Sequence, residues 1–361
     1  MVWLFRCFFL AGIFFLVACS EMAYYQQAAV GQLSLLAKRE PIEELLSRES
    51  TSAKLRAKLE LILAARKFAV TELSLPTGNA YLDYVDIKQR YVIWNVTAAK
   101  RFSLEGETWC YPFVGCQTYR GYFAQSEAQQ FAQKLSDRGL DVYVSGVTAY
   151  STLGWFDDPV LNTFITRSDP NLAALVFHEL AHRVVYIDGD TAFNESFATA
   201  VELAGLKRWL EKHDQADQLA KIRRRKHYHQ RFTQLVLATN TELKKLYKTP
   251  LDSETMLNRK RAIIEQLRRK YAAMSKSWSF RGYDRWFASE INNAKLITVA
   301  NYQDYVPAFA RLLQQCNHDF PRFYKAVERL GALPVKQRRQ QLKSLASESA
   351  LAASPLEITP D

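Results

Sequence analysis

Two histidines four residues apart in an apolar segment constrain this chain more than any other feature. His178 and His182 belong to the string His-Glu-Leu-Ala-His, in which Glu179 follows the first histidine. Residues i and i+4 of a helix project from the same face, so both imidazoles can bind one ion of zinc size. The carboxylate of Glu179 then lies where it can take a proton from a water activated by that ion. The string predicts a helix that carries two metal ligands and a general base.

A third ligand is expected on a second helix, because a catalytic zinc ion uses three protein ligands and keeps one position open. The glycine of Asp188-Gly189-Asp190 predicts the end of the first helix, and the second helix starts near Thr191. Glu195 falls in the first turns of that helix, and twelve residues separate it from His182. We therefore predict one Zn²⁺ ion bound by His178, His182 and Glu195.

The start of the chain is typical of an exported protein. MVWLFRCFFLAGIFFLVACS has one positive charge, Arg6, followed by an apolar run too short to span a bilayer. Its Leu16-Val17-Ala18-Cys19 resembles a bacterial lipobox, which implies removal of residues 1–18 and lipidation of Cys19. A plain signal peptide with an incidental cysteine is the alternative. Ser20 after the cysteine favours the outer membrane facing the periplasm, and residues 19–32 are predicted as a tether.

The net charge of +11 falls to +10 without the leader, which contributes one arginine and no acid. Much of the excess lies in residues 221–229 and 257–270, which are predicted as solvated helix faces. Contact with anionic lipid or cell-wall polymers is the alternative, and nucleic acid is not expected as a partner of an exported protein.

The cysteines fit an oxidising compartment. Cys110 and Cys116 are close enough in sequence to form a small disulfide loop. Lipidation would use Cys19, which leaves Cys316 unpaired and predicted to be buried.

The order of patterns predicts an α+β fold, with a small mixed β-sheet followed by the metal-bearing helix and a mainly helical C-terminal half. Alternating and β-branched residues predict strands at 91–97, 115–123 and 140–152, after a helical segment at 41–73. One domain is predicted over residues 33–335, with its β-containing part ending at about 165. Residues 336–361 are charged and then rich in serine and alanine, and they are predicted to form a loose tail.

The string Phe-Asn-Glu-Ser-Phe-Ala after the histidines resembles the second-helix signature of gluzincins, zinc peptidases with two histidines and a glutamate. Further strings are similar to the bacterial putative aminopeptidase family of exported proteins: PTGNAYLDY, YVIWNV, TWCYPFVGC, YRGYF, VTAYSTLGWFDDP, FHELAHRVVY, DTAFNESFA and INNAKL. The resemblance implies a zincin-like fold and a zinc-dependent aminopeptidase with a peptide substrate. A zinc endopeptidase or cell-wall peptide hydrolase is the first alternative, and a non-catalytic envelope lipoprotein is the second. No protein partner is predicted.

The sequence departs from gluzincin aminopeptidases in the groups around the zinc. The Gly-x-Met-Glu-Asn strand, which holds the amine of the substrate, has no counterpart, and Asp157 and Asp158 are the nearest acids that can replace it. Thr199 stands where thermolysin-like enzymes have an aspartate behind a histidine, so Glu202 becomes the main candidate for that support.

Stabilising an oxyanion requires a donor in addition to the metal. In gluzincins this donor is often a tyrosine or histidine downstream of the third ligand. The candidates here are Tyr302, Tyr305 and Tyr150, each of which can instead be a packed aromatic residue.

Overall fold

Long helices surround three small sheets in the computed structural model, which describes residues 21–111, 115–149, 157–300 and 305–352. The first helix, α1, covers residues 21–37. The other helices are α2 (Ile42–Ser47), α3 (Ala53–Leu73), α4 (Gln125–Asp137), α5 (Asn162–Ile165), α6 (Asp169–Ala181), α7 (Thr191–Lys212), α8 (Asp217–Leu246), α9 (Ser253–Ser275), α10 (Asp284–Ala288), α11 (Asn293–Ala300), α12 (Val306–Gln315), α13 (Phe320–Gly331) and α14 (Val335–Ala352).

The strands are short and pair locally or across long connections. They are β1 (Glu40–Pro41), β2 (Asp83–Val85), β3 (Ile93–Lys100), β4 (Trp109–Tyr111), β5 (Gly115–Gln117), β6 (Arg120–Tyr122), β7 (Leu140–Val147) and β8 (Val160–Leu161).

These strands form separate sheets in the described residues, which corrects the prediction of one small mixed sheet. Strand β2 pairs antiparallel with β1 and parallel with β8, and this sheet is the mixed one. Strand β3 lies between β6 and β7, antiparallel to both, and Trp94 faces Gly146 across the ladder. Strands β4 and β5 form a hairpin. Strands of two residues, such as β1 and β8, are too short to show an alternating pattern.

The main hydrophobic core joins α3, α6 and α7 to the C-terminal helices. At its centre, Phe177 of α6 packs against Phe68 of α3 and Trp209 of α7. Gly205 of α7 lets these helices approach closely, because a Cβ there would lie 2.6 Å from Leu73 and 3.0 Å from Phe177. The α+β class is therefore confirmed, and the two helices that carry the predicted metal ligands lie in the centre of the main core.

Two more apolar clusters complete the fold. One lies among α8, α9, α10 and α11, and the other lies between the β6-β3-β7 sheet and α4. The basic segments predicted as solvated faces are largely exposed on α8 and α9, although Lys260 is buried. In the described part of the chain, none of the helices combines the length and hydrophobicity that crossing a bilayer requires.

Both predicted loose ends are helical where the structure describes them. The region predicted as a tether contains most of α1, which is fixed by the ion pair between Glu21 and Arg120 of β6. The region predicted as a loose tail contains most of α14, which is held by buried Arg338 and Leu342. Sequence composition missed both helices because each is stabilised by residues distant in the chain.

The β4–β5 hairpin carries a disulfide between Cys110 and Cys116, with Cα atoms 3.9 Å apart. The free thiol of Cys316 is half-buried rather than buried, because it follows the end of α12 at the edge of the core.

Candidate metal centre

Helix α6 positions the first histidine and ends at the second. It begins at Asp169 after the N-cap Ser168, with Pro170 in its first turn, and its apolar side packs in the main core. The helix ends at Ala181, with His182 at the C-cap, so the end expected at residues 188–190 comes about two turns earlier.

The loop between the two helices is shaped by one amide side chain. Asn194 of α7 accepts a hydrogen bond from the Ile187 N–H at 2.8 Å and donates one to the Ile187 carbonyl at 2.8 Å. Asn194 is buried, so both backbone groups of Ile187 are satisfied inside the protein. This contact explains why asparagine precedes the ligand Glu195, and it brings the loop back onto α7.

The start of α7 is fixed by a buried carboxylate. Asp190 is its N-cap and accepts a hydrogen bond from the Phe193 N–H at 3.3 Å. Its other oxygen lies 2.7 Å from Nη2 of Arg338 on α14, and both residues are buried. The start predicted near Thr191 is confirmed, and α14 supports it from a distance along the chain.

The structure brings together the three residues predicted as ligands. One oxygen of Glu195 lies 3.4 Å from Nε2 of His178, and the other lies 3.6 Å from Nε2 of His182. Ligand atoms of the three residues all lie within 4.8 Å of one another.

These separations suit a shared cation. Both imidazoles direct Nε2 toward one carboxylate, at distances longer than a good N–H···O hydrogen bond. Bonds of roughly 2.0–2.1 Å arranged tetrahedrally place neighbouring ligands roughly 3.3 Å apart, close to the observed spacing. Two nitrogens and one carboxylate are the donor set of His₂Glu zinc sites, so the residues fit the ion.

Glu202 orients the first histidine. Its carboxylate lies 3.0 Å from Nδ1 of His178, which leaves Nε2 of that ring available to a metal. Burial lowers the pKa of His178, but contacts with Glu195 and Glu202 outweigh it and raise the pKa to about 10. In the described part of the chain, Thr199 makes no hydrogen bond to either histidine, and Nδ1 of His182 has no partner.

Glu179 has the environment of a general base. Burial raises its pKa to about 7, while His178 lowers it and the carboxylates of Glu195 and Asp158 raise it further. The side chain is partly exposed, so solvent reaches it. A carboxylate with a pKa near neutrality can both accept and release a proton at physiological pH.

Arg167 is a charged neighbour that the sequence reading missed. It interacts electrostatically with Glu179 and Glu202, and burial is the main reason that its pKa is lowered. A hydrogen bond of 2.9 Å to Oγ1 of Thr148 fixes its guanidinium. Nothing in its spacing from the histidines marks it, because it precedes α6 and reaches the site only when that helix is packed.

Three tyrosines near the metal residues were also missed. Tyr81 is buried, and its pKa is raised by burial and then by Glu179 and Asp158. Tyr119 and Tyr186 are each 43 % exposed, and the negative charge of Glu195 contributes to raising the pKa of each phenol.

The backbone around Tyr81 is held in an unusual conformation. Its φ of 62° is in the left-handed region, and its N–H donates to the Asp158 carbonyl at 2.8 Å. Arg66 donates from Nε to the Ala80 carbonyl at 3.0 Å and from Nη2 to the Gly78 carbonyl. Residues distant in the chain thus determine where the Tyr81 ring lies.

The two predicted amine-binding acids differ in position. Asp157 is tied to Asn79 at 3.2 Å and lies 3.8 Å from Arg183, so its charge is already engaged. Asp158 is buried and acts electrostatically on Glu179.

Three predicted residues, Tyr150, Tyr302 and Cys19, lie outside the described residues. Tyr305 is buried, and its backbone N–H donates to Oγ of Ser196 at 3.0 Å. Burial raises the pKa of its phenol, which Arg339 lowers and Asp190 raises. Its role as an oxyanion donor is not supported by that environment.

The rim of the site includes the disulfide-bonded hairpin. A Cβ on Gly115, at the start of β5, would lie 3.4 Å from Oδ1 of Asp188 in the loop between the ligand helices. The φ of +73° at Gly115 is one that a side chain disfavours, and the hairpin therefore closes against the loop at a glycine.

A family model described as putative aminopeptidase matches residues 23–342. The chain belongs to this family. The match runs from α1 into α14 and includes both ligand helices, so it is wider than the predicted domain of residues 33–335. Searches of curated proteins and of solved structures found no significant match. Family membership therefore indicates a peptidase acting on peptide substrates.

Proposed function

We propose that the protein is a zinc-dependent aminopeptidase. The observation that carries the proposal is the convergence of His178, His182 and Glu195, with ligand atoms within 4.8 Å of one another, beside the carboxylate of Glu179. The donor set suits zinc, since two imidazoles and one carboxylate leave a fourth position open. The family description supports the choice of peptide bonds as substrate.

When bound, the ion would lower the pKa of a water molecule and polarise the scissile carbonyl. Glu179 would accept a proton from the attacking water and pass it to the departing amine, and its pKa of about 7 suits both transfers near neutral pH. Glu202 keeps the His178 ring in one orientation, at 3.0 Å from Nδ1. The phenols of Tyr119 and Tyr186 are the exposed donors near Glu195 that replace the predicted Tyr305 as candidates for the oxyanion.

The acidic groups near the base favour a substrate with a free amine. Asp158 acts on Glu179 from inside the protein, and a protonated amine would offset the repulsion between the two carboxylates. We assign Asp158 as the residue that attracts the amine, because its negative charge acts on the base Glu179.

The test is the Glu179→Gln variant, which keeps the shape of the side chain and removes its basicity. We expect the variant to retain one zinc per chain, by elemental analysis, and to lose at least about a thousandfold in turnover of peptide substrates. Glu211→Gln is the matched control, because Glu211 lies on α7 and is exposed beside Lys207. Turnover unchanged in Glu179→Gln would refute the mechanism.

Peptides with free and with acetylated N-termini separate the two kinds of peptidase. An aminopeptidase cleaves only the free peptides, and Asp158→Asn should then raise KM more than it lowers kcat. Cleavage of both sets at similar rates would establish the endopeptidase or cell-wall peptide hydrolase instead. Stoichiometric zinc with no turnover of either set would favour a non-catalytic lipoprotein.

We also propose that the enzyme is attached to the cell envelope through Cys19, facing the periplasm. The lipobox-like Leu16-Val17-Ala18-Cys19 supports this attachment. Mass spectrometry of the N-terminal peptide should show an acylated cysteine. A free thiol on a processed N-terminus would contradict the anchor without affecting the zinc chemistry.

A further inference from the structure

Helix α1 presents an uncharged face to the solvent. Residues 22–37 include no acidic or basic side chain, although a quarter of the whole chain is charged. Its inner side packs on the protein, and Leu35 is 4 % exposed. A surface helix ordinarily carries charged residues on its outer face.

The outer face of α1 also concentrates large apolar side chains. Nine large hydrophobic residues are exposed in the described part of the chain, and four of them lie on this one helix. These four are Met22 (69 % exposed), Tyr25 (40 %), Val30 (57 %) and Leu33 (64 %). Met22, Tyr25 and Leu33 are spaced by three and eight residues, which places them along one side of the helix. Contiguous exposed apolar surface of this kind marks a contact with a partner or a membrane.

The position of α1 in the chain identifies the partner. Glu21, the first described residue of α1, follows Cys19 by two positions, and two residues of extended chain reach at most about 7 Å. An acylated Cys19 would therefore hold the first turn of α1 at the surface of a bilayer. Tyrosine near that end suits the boundary between acyl chains and head groups.

We propose that the face formed by Met22, Tyr25, Val30 and Leu33 lies on a phospholipid bilayer and forms a second attachment beside the lipid. The proposal rests on the proposed anchoring through Cys19. Several acyl chains on one cysteine already give stable attachment, so the apolar face would add a second contact that limits how the protein can tilt and rotate on the lipid.

This contact would also fix the orientation of the metal centre. Arg120 of β6 holds α1 through an ion pair of 2.8 Å with Glu21 and lies 3.8 Å from the centre of the Tyr24 ring. Gln27 donates to the Gly121 carbonyl at 3.3 Å and accepts from the Phe123 N–H at 3.2 Å. Tyr119 directly precedes Arg120, and the charge of Glu195 contributes to raising the pKa of its phenol.

The strand that holds α1 is thus continuous with the rim of the site. A helix lying flat on a membrane would keep that rim at one height and one tilt above the lipid. The substrates favoured by this geometry are peptides that approach along the bilayer surface.

The test places a polarity-sensitive fluorophore at Val30→Cys and, as the matched control, at Val70→Cys. Val70 is an exposed valine (48 %) on α3, away from α1. Both variants also carry Cys316→Ser, so that the label attaches at one thiol. The acylated full chain is reconstituted into vesicles of phosphatidylethanolamine and phosphatidylglycerol.

We expect the label at position 30 to shift to shorter wavelength in vesicles and to be quenched by bromine on the acyl chains. The label at position 70 should show neither effect. Adding Leu33→Glu to Val30→Cys should reduce the quenching at least fivefold while peptide turnover stays unchanged. Identical behaviour of the two labels in a vesicle-bound chain would overturn the proposal.

A second copy of the chain is the competing occupant, and a form without lipid tests it. The Val30→Cys chain carries Cys19→Ser and is exported behind a leader that an ordinary signal peptidase removes. A spectral shift that grows with protein concentration in vesicle-free buffer would assign the face to a dimer and overturn the proposal. If the unsubstituted protein binds no zinc and cleaves no peptide, the proposed function is refuted, but the fluorescence result still stands. The failure of one proposal can therefore be distinguished from the failure of the other.

Discussion

The helix pairs α6–α7 and α8–α9 have similar connections but different side chains at their interfaces. In each pair, two helices are joined by a short connection and packed along their length. Imidazoles and carboxylates lie between α6 and α7, and Nδ1 of His178 is 3.0 Å from Oε2 of Glu202. Around α8 and α9, aromatic rings stack instead. The ring centroids of Phe232 and Tyr283 are 4.1 Å apart, and those of Tyr271 and Phe287 are 3.8 Å apart.

The difference shows what each pair depends on. Apolar side chains at helical spacing are sufficient to bring α8 and α9 together, because the hydrophobic effect does not depend on the direction of a contact. The polar groups of α6 and α7 need partners at defined angles, and distant segments supply them. Each pair nevertheless makes an ion pair with another part of the chain: buried Asp190 with Arg338 for the first, and buried Lys260 with half-buried Asp141 for the second.

The largest expected effect comes from breaking these two ion pairs separately. Arg338→Met leaves the buried Asp190 without its cation and should lower the free energy of unfolding by about 3–5 kcal/mol. Lys260→Met removes the cation of Asp141, which is only half-buried and also accepts from the Asn293 N–H, so its cost should be smaller. Only Arg338→Met should also weaken zinc binding, since Asp190 caps the helix that carries Glu195. Denaturant titrations and zinc competition with a chromophoric chelator measure the two quantities. Equal losses of zinc affinity would remove the distinction between the pairs.

A smaller effect is expected from the loop amide. Asn194→Ala removes both partners of Ile187, which should cost about 1–3 kcal/mol in all, because Ile187 is only half-buried and water can satisfy part of what is lost. Asn240→Ala on α8 is the counterpart, because its amide makes a longer bond of 3.4 Å to the Leu296 carbonyl. We expect the loss of stability to be smaller in Asn240→Ala, and zinc affinity to fall only in Asn194→Ala. A larger destabilisation by Asn240→Ala would contradict the assigned role of the loop.

Glu202→Gln tests the support of the first histidine. The amide keeps a contact with Nδ1 but loses the negative charge, so zinc affinity should fall about 10–100-fold. Glu211→Gln, on the same helix, should leave zinc affinity unchanged. Zinc affinity that is equal in the two variants would show that Glu202 does not act on the metal through His178.

The smallest expected effect is the change in zinc affinity per pH unit. The pKa of about 10 at His178 in the metal-free protein means that zinc must displace its proton at neutral pH. His182, whose pKa burial and His178 lower to about 4, is already neutral. Affinity should therefore rise by about tenfold per pH unit between pH 6 and 8, which is about 1.4 kcal/mol. An affinity independent of pH over this range would show that His178 is neutral before zinc binds.

Local sequence patterns predicted much of this structure. Helical spacing of apolar residues indicated the C-terminal helices, and the i, i+4 histidines with Glu195 predicted residues that the fold brings within 4.8 Å. The candidate support from Glu202 follows from the same helical geometry, because it lies two turns beyond Glu195. Each of these relations is set within one helix or between two adjacent ones.

The missed features depend on contacts that are distant in sequence. Tyr81, Tyr119 and Arg167 approach the site only because separate elements pack around α6 and α7. Tyr81 lies in PTGNAYLDY and Tyr119 in YRGYF, two strings that identified the family without indicating a role. The helical state of α1 and α14 was missed for a related reason, since Arg120 and Asp190 stabilise them from elsewhere.

The disulfide between Cys110 and Cys116 gives the protein an order of maturation. Its hairpin closes on the loop between the ligand helices, where Gly115 meets Asp188. Thiols remain reduced in most cytosols and pair after export. On the proposed route of export, the hairpin would stay without its disulfide until the chain reaches an oxidising compartment, so the rim of the proposed peptidase site would be completed only outside the cytosol.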